Sequence, residues 1–140
     1  GFYAPKGLTR VIYNVVRLGT GLGILKKLYS WLIDRLNSEN PIDIKYHGIL
    51  FRLYPHDNTI ESKMIVSSRL REAKELEVIS KYLKNGGTFL DIGANIGYYS
   101  LMAAKLGATK IISIEPNPVV LNRFKENIRF NKFEKNKVIK

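Results

Sequence analysis

Two carboxylates bracket a glycine-bearing turn. Asp91, Gly93, Asn95 and Gly97 lie in FLDIGANIGYYS (residues 89–100), and Glu115 follows Asp91 by 24 residues in KIISIEPNP (residues 110–118). An acid at the end of an apolar run can accept from an ammonium or hydroxyl group. Gly93 lets the backbone turn sharply, and Gly97 lets the following helix press against the strand or lets a ligand approach. Asn95 and the helix start beside it offer N–H donors to an anion such as a carboxylate. Glu115 closes the second apolar run, where a carboxylate can take both hydroxyls of a ribose. Ala94 and Pro116 complete the two turns.

A ligand with an amino-acid end and a nucleoside end satisfies both acids, and S-adenosylmethionine has both. A dinucleotide does not fit as well. Counting its G-x-G-x-x-G pattern from Gly93 puts Asn95 and Tyr98 at the second and third glycine positions. Asp91 would also repel a pyrophosphate. Tyr98 and Tyr99 follow the turn and could touch the cofactor or enter the core.

The elements that must hold these residues alternate. Leu70, Ala73, Leu76, Ile79 and Leu83 give one face of a helix over 69–84, stopped by Asn85-Gly86-Gly87. TFLDI is a short buried strand. Asn95 is read as the cap of a helix running to Leu106, with Gly107 as its stop. KIISIE is a second strand. Asn117 caps a third helix with Pro118 at its first position, and Leu121, Phe124 and Ile128 face inward. KVIK opens another strand. This order is the start of a parallel α/β sheet, whose ligands bind where strands end and helices begin. The two crossover helices are expected on one sheet face and the 69–84 helix on the other.

Upstream, IDIKYHGILFRLYPHD alternates about His47-Gly48 and predicts a hairpin. Residues 8–36 carry apolar positions three and four apart, broken by Gly19, Gly21 and Gly23, which predicts two amphipathic helices. The longest charge-free run there, Leu18–Leu25, has eight residues, too few for a membrane span of roughly 20. His47 and His56 have no partners at metal-ligand spacing. Three segments follow: 1–40 helical and amphipathic, 41–68 a hairpin lead-in, and 69–140 the first part of the α/β domain.

The 140 residues contain no cysteine, which excludes a disulfide framework and a thiolate metal site. The first residue is Gly and the last four look like a strand opening, so the sequence reads as a piece of a longer protein. Net charge is +11, concentrated at the ends: six Lys/Arg against two Asp/Glu in 1–40, and seven against two in 117–140. A Lys-rich solvated surface accounts for this. A basic amphipathic segment around Trp31, with Lys26, Lys27 and Arg35, could also lie on anionic lipid.

The segment GGTFLDIGANIGYYSLMAAKLGATKIISIEPNPVVLNRFKENIRFN resembles the first part of the FkbM family of S-adenosylmethionine-dependent methyltransferases. DIGANIGYYS, the Ala103-Ala104 pair, IEPNP, and Asn127-Ile128 with Asn131 carry the likeness. The hairpin, PHD at 55–57 and the helix near Glu72 resemble the family's lead-in. The resemblance covers roughly residues 45–140. It implies a Rossmann-like class I methyltransferase fold, truncated after the second βα unit and preceded by N-terminal helices and a β-hairpin. It implies O-methylation of a sugar or glycoconjugate hydroxyl. Asp91, Gly93, Ala94, Asn95, Gly97, Glu115 and Pro116 would bind the cofactor, with Glu72 near its methionine end. Catalytic residues would lie after Lys140. The expected partners are a small-molecule or glycan acceptor and, through residues 8–36, an anionic membrane. Nucleic acid is not expected, and the location is expected to be cytoplasmic or membrane-peripheral. The alternatives are a non-enzymatic basic module on membrane or nucleic acid, and a nucleic-acid methyltransferase.

Overall fold

The structure, a computed structural model, describes residues 3–18, 31, 41–55, 59–66, 73–133 and 138–139. The break at Gly19–Gly23, the helix expected after it, His56 and Glu72 lie outside the described residues. Two compact units result, Gly1–Leu70 and Arg71–Lys140.

The first unit contains α1 (Gly7–Leu18), β1 (Ile42–Tyr46), β2 (Ile49–Leu53) and α2 (Thr59–Val66). β1 and β2 pair antiparallel from Ile42↔Leu53 to Tyr46↔Ile49. The two-residue loop is His47 (φ 47°) and Gly48 (φ 82°). Positive φ at both central residues gives the turn whose twist matches that of its strands. Strict alternation sends Ile42, Ile44, Tyr46, Ile49, Phe51 and Leu53 into the core. Asp43 is buried on the other face of β1. Arg52 donates to it through Nε at 2.8 Å and Nη2 at 3.2 Å, and the Tyr3 N–H adds a third bond at 3.1 Å. Burial opposes the charge of Asp43, but the bonds from Arg52 and Tyr3 outweigh it and hold the carboxyl below its ordinary range. Arg52 also lies over the Tyr3 ring at 4.9 Å. Buried Glu61 of α2 accepts from the Tyr54 N–H at 2.6 Å and so fixes the exit from the hairpin.

The second unit contains α3 (Ala73–Leu83), β3 (Thr88–Ile92), α4 (Tyr98–Lys105), β4 (Lys110–Ile114), α5 (Pro118–Asn131) and β5 (Val138–Ile139). The sheet is parallel, in the order β3-β4-β5. Gly86 and Gly87, at φ 86° and 136°, end α3 with the Gly86 N–H on the Leu83 carbonyl at 2.9 Å. Gly107 ends α4 at φ 113°, where a Cβ would stand 2.8 Å from that same Leu83 oxygen. The close approach of these two turns sets the lower end of the sheet.

Period two divides the strands between two faces. Asp91 pairs with Ser113, and both are buried toward α4 together with Ile111. Leu90, Ile92 and Ile114, on the other face, are 54%, 74% and 51% exposed. The sequence placed the 69–84 helix over that second face. It packs on α4 instead, through a side that includes buried Leu76 and Leu83. The reason is the short connection after α3: the Gly86-Gly87 turn returns the chain straight into β3 beside the α4–β4 turn. No described helix is long and apolar enough to cross a membrane.

Candidate cofactor site

The β3–α4 turn alternates in hand. Gly93, Asn95 and Gly97 have φ of 75°, 52° and 88°, while Ala94 and Ile96 between them do not and are buried at 5% and 2% exposure. Left-handed residues at every second position alternate with two apolar side chains sent into the core; of the three, Gly93 is exposed, Asn95 half-buried and Gly97 buried. Only Gly, and less often Asn, accepts that conformation cheaply.

The backbone donors of this turn are spent inside the protein. Gly93 and Ala94 donate to the Ile114 carbonyl at 2.8 and 3.0 Å, and Gly97 donates to the Ala94 carbonyl at 2.8 Å. The Ile96 N–H takes Oδ1 of Asn95 at 2.8 Å. The Asn95 N–H meets Oε2 of Glu115 at 2.9 Å, and Oε1 of Glu115 accepts from the Asn117 N–H at 2.9 Å. The anion gripped by the turn is therefore the protein's own Glu115. Each of its oxygens keeps an unused lone pair, so the carboxylate remains competent for two ribose hydroxyls.

Helix α4 is capped by Gly97, without a side-chain bond, and not by Asn95 as the sequence suggested. The Asn95 side chain bonds its neighbour inside the turn, so the helix starts two residues later. Gly97 is required for a different reason from the one expected. A Cβ there would fall 2.1 Å from the ring of Phe124, a wholly buried residue of α5. At Gly93 a Cβ would meet nothing within 4 Å, which leaves open space above the turn. Asn127, also wholly buried on α5, donates Nδ2 to the Ile96 carbonyl at 3.1 Å. Helix α5 thus braces the turn from below at two points. Asn117 fixes the start of α5 by accepting from the Val119 and Val120 N–H groups at 2.9 and 3.3 Å.

Asp91 is 8% exposed, and its Oδ2 accepts from the Ser100 hydroxyl at 2.5 Å. Oδ1 takes no hydrogen bond from the described residues. The structure therefore brings Asp91, Gly93, Ala94, Asn95, Gly97 and Glu115 into one turn, with Pro116 exposed at its edge. Ser100, Phe124 and Asn127 were missed as parts of it. The available signal was a polar residue, Asn127, beside the inward-facing Phe124 and Ile128. S-adenosylmethionine fits these residues: an acid oxygen with no donor among the described residues suits its ammonium, Glu115 suits its ribose, and the space over Gly93 suits the chain between them. Among the described residues no cluster of His, Asp or Glu could hold a metal ion.

The family model of the TRM5/TYW2 methyltransferase domain matches residues 45–140. The chain belongs to that family. A TRM5/TYW2 domain is an S-adenosylmethionine-dependent methyltransferase domain, so the class I fold and the cofactor expected from the sequence are borne out. The ribosomal protein L11 methyltransferase of Clostridium perfringens is 36% identical over 64 residues, 46% of this chain. That match spans 20% of the relative's own length. Among solved structures, P. horikoshii TYW2 in complex with MeSAdo superimposes with a TM-score of 0.56 at 22% identity, covering 84% of this chain and 48% of that one. The M. jannaschii tRNA m1G37 methyltransferase gives 0.52 at 22% identity, covering 74% of this chain and 30% of that one.

These findings overturn two expectations. The chain is a TRM5/TYW2 domain, not a member of the FkbM family. The likeness to FkbM rested on DIGANIGYYS, the Ala103-Ala104 pair, IEPNP, and Asn127-Ile128 with Asn131, and these residues build the β3–α4 turn and the helices α4 and α5 that pack around it. A turn common to many methyltransferases says little about the acceptor, and the sugar acceptor loses its support. Setting nucleic acid aside as a partner is also overturned, since one structural neighbour is a tRNA methyltransferase. That exclusion treated a net charge of +11 as plain solvated surface, although the same charge is what a polyphosphate requires.

Proposed function

We propose that this domain binds S-adenosylmethionine at the β3–α4 turn and that the whole protein transfers its methyl group to a nucleotide of a structured RNA, with tRNA the first candidate. The family match over residues 45–140 carries the reading. The basic composition supports it, because Lys and Arg neutralise backbone phosphates. When bound, the cofactor supplies an electrophilic methyl on a sulfonium. The residues of this chain hold it. Glu115 takes the ribose, Asp91 takes the ammonium, and the Gly93 turn leaves the backbone low enough for close approach. Methyl transfer then depends mainly on alignment of the acceptor with the methyl.

A second reading, methylation of a protein, is favoured by the 36% identity to the L11 methyltransferase. One experiment separates the two. The full-length protein is incubated with methyl-labelled S-adenosylmethionine and either total tRNA or ribosomal proteins. Label in tRNA is the expected result. Label only in protein moves the assignment to the second reading, and no binding of S-adenosylmethionine removes both.

A further inference from the structure

Three polar side chains share the layer between the sheet and α4. Asp91, Ser100 and Ser113 are 8%, 0% and 3% exposed, beside Ile111 of β4, which is fully buried. The Ser100 hydroxyl lies 2.5 Å from Oδ2 of Asp91 and 2.7 Å from the Ser113 hydroxyl. A carboxylate only accepts, so the Ser100 hydrogen is committed to Asp91. Ser113 must then donate to Ser100, and the chain has one direction: Ser113 to Ser100 to Asp91. Burying three polar groups where apolar ones would pack carries a desolvation cost that small aliphatic residues would avoid.

What the chain achieves is orientation. Ser113 faces Asp91 across the strand pair, and Ser100 reaches it from the first turn of α4. With Oδ2 held from below, rotation of the carboxylate is opposed, and Oδ1 is the oxygen left for a ligand. We propose that Ser100 and Ser113 are positioning residues that aim Oδ1 of Asp91 at the ammonium of S-adenosylmethionine. The proposal rests on the cofactor reading above.

The test compares ligands with and without that ammonium, using the full-length protein. S-adenosylmethionine and S-adenosylhomocysteine carry it; 5′-methylthioadenosine keeps the nucleoside and lacks the amino-acid end. In calorimetry, Ser100→Ala should weaken the first two by about tenfold and leave the third unchanged, as expected for a lost charge-assisted bond. Ser113→Ala, one hydroxyl further away, should do the same by about threefold. Ser100→Thr, which keeps the hydroxyl, should restore binding. Equal loss for all three ligands would mean that the serines merely hold the turn, and no loss would mean that Asp91 needs no aiming; either result overturns the proposal. If Ser100→Ala does not fold, Ser113→Ala decides by the same ligand comparison. A wild-type protein that binds none of the three would defeat the cofactor reading and this proposal with it.

Discussion

Both units of this chain hold buried or half-buried carboxylates and treat them differently. In the hairpin unit, Asp43 takes two bonds from Arg52 and one from the Tyr3 backbone, and Glu61 takes the Tyr54 N–H. In the sheet unit, Asp91 has one oxygen engaged and the other without a donor among the described residues. Glu115 is held by two backbone N–H groups and keeps a free lone pair on each oxygen. A saturated buried acid ties chain segments together. An acid held on one side and open on the other keeps an acceptor to offer a ligand. The contrast sets acids that tie chain segments apart from the two acids proposed to bind the cofactor.

The largest effect should come from the brace under the open acids. Gly97→Val places a branched side chain against the Phe124 ring, at a backbone φ of 88°. Left-handed strain and overpacking together should cost about 3 kcal/mol or more. Urea unfolding should show that loss, and S-adenosylmethionine binding should disappear. Gly93→Ala meets no neighbour and should pay only for its backbone conformation, about 1 kcal/mol. If the two variants behave alike, Phe124 does not brace the turn.

Next comes the saturated acid. Arg52→Ala removes two of the three bonds to Asp43 and should cost about 2 kcal/mol at neutral pH. Because the folded carboxyl sits below its ordinary range, its contribution is fully present above about pH 4. It fades as acid protonates the folded form. The wild type should therefore lose stability on going from pH 7 to pH 3, and the variant should lose less. Binding of S-adenosylmethionine at pH 7 should be unaffected in a folded variant, which distinguishes this acid from Asp91.

Glu115→Ala should act in the opposite way, on binding more than on folding. Losing charge-assisted bonds to the ribose should weaken S-adenosylmethionine by about 2 kcal/mol, or tenfold or more. Loss of the links to Asn95 and Asn117 should show as a smaller drop in stability. Unchanged calorimetric affinity would remove Glu115 from the site and leave it a tether between turn and helix.

The parts of this comparison that sequence could reveal were local. The glycine turn at Gly93–Gly97, the Asn117-Pro118 helix start and the His47-Gly48 hairpin each depend on a few adjacent residues and formed where expected, although the helix after the turn begins at Gly97 and not at Asn95. The parts it hid depend on contacts between distant positions. Phe124 explains Gly97 from 27 residues away, and Asn127 holds Ile96 from 31 residues away. Ser100 carries no signal in a helix until Asp91 is placed beneath it. The family was misread for a related reason: the most recognisable residues shape the β3–α4 turn, and they do so whatever lies in the rest of the protein.

The smallest effect concerns two residues that share a backbone conformation and differ in purpose. His47 and Asn95 are both left-handed, at φ 47° and 52°. Asn tolerates this region better than His, so His47→Asn should relieve strain in the hairpin turn. The gain is reduced by loss of the edge contact between the His47 and Tyr46 rings, whose centroids are 4.4 Å apart. The net result should be a stabilisation of about 0.5 kcal/mol, read by thermal unfolding, with no change in cofactor affinity. Asn95→His, the reverse exchange, removes the acceptor of the Ile96 N–H and adds strain beside Glu115. It should lower both stability and S-adenosylmethionine affinity. Equal tolerance of the two exchanges would show that the left-handed position in the cofactor turn is no more demanding than the one in the hairpin, and the difference between the two units would then rest on their acids alone.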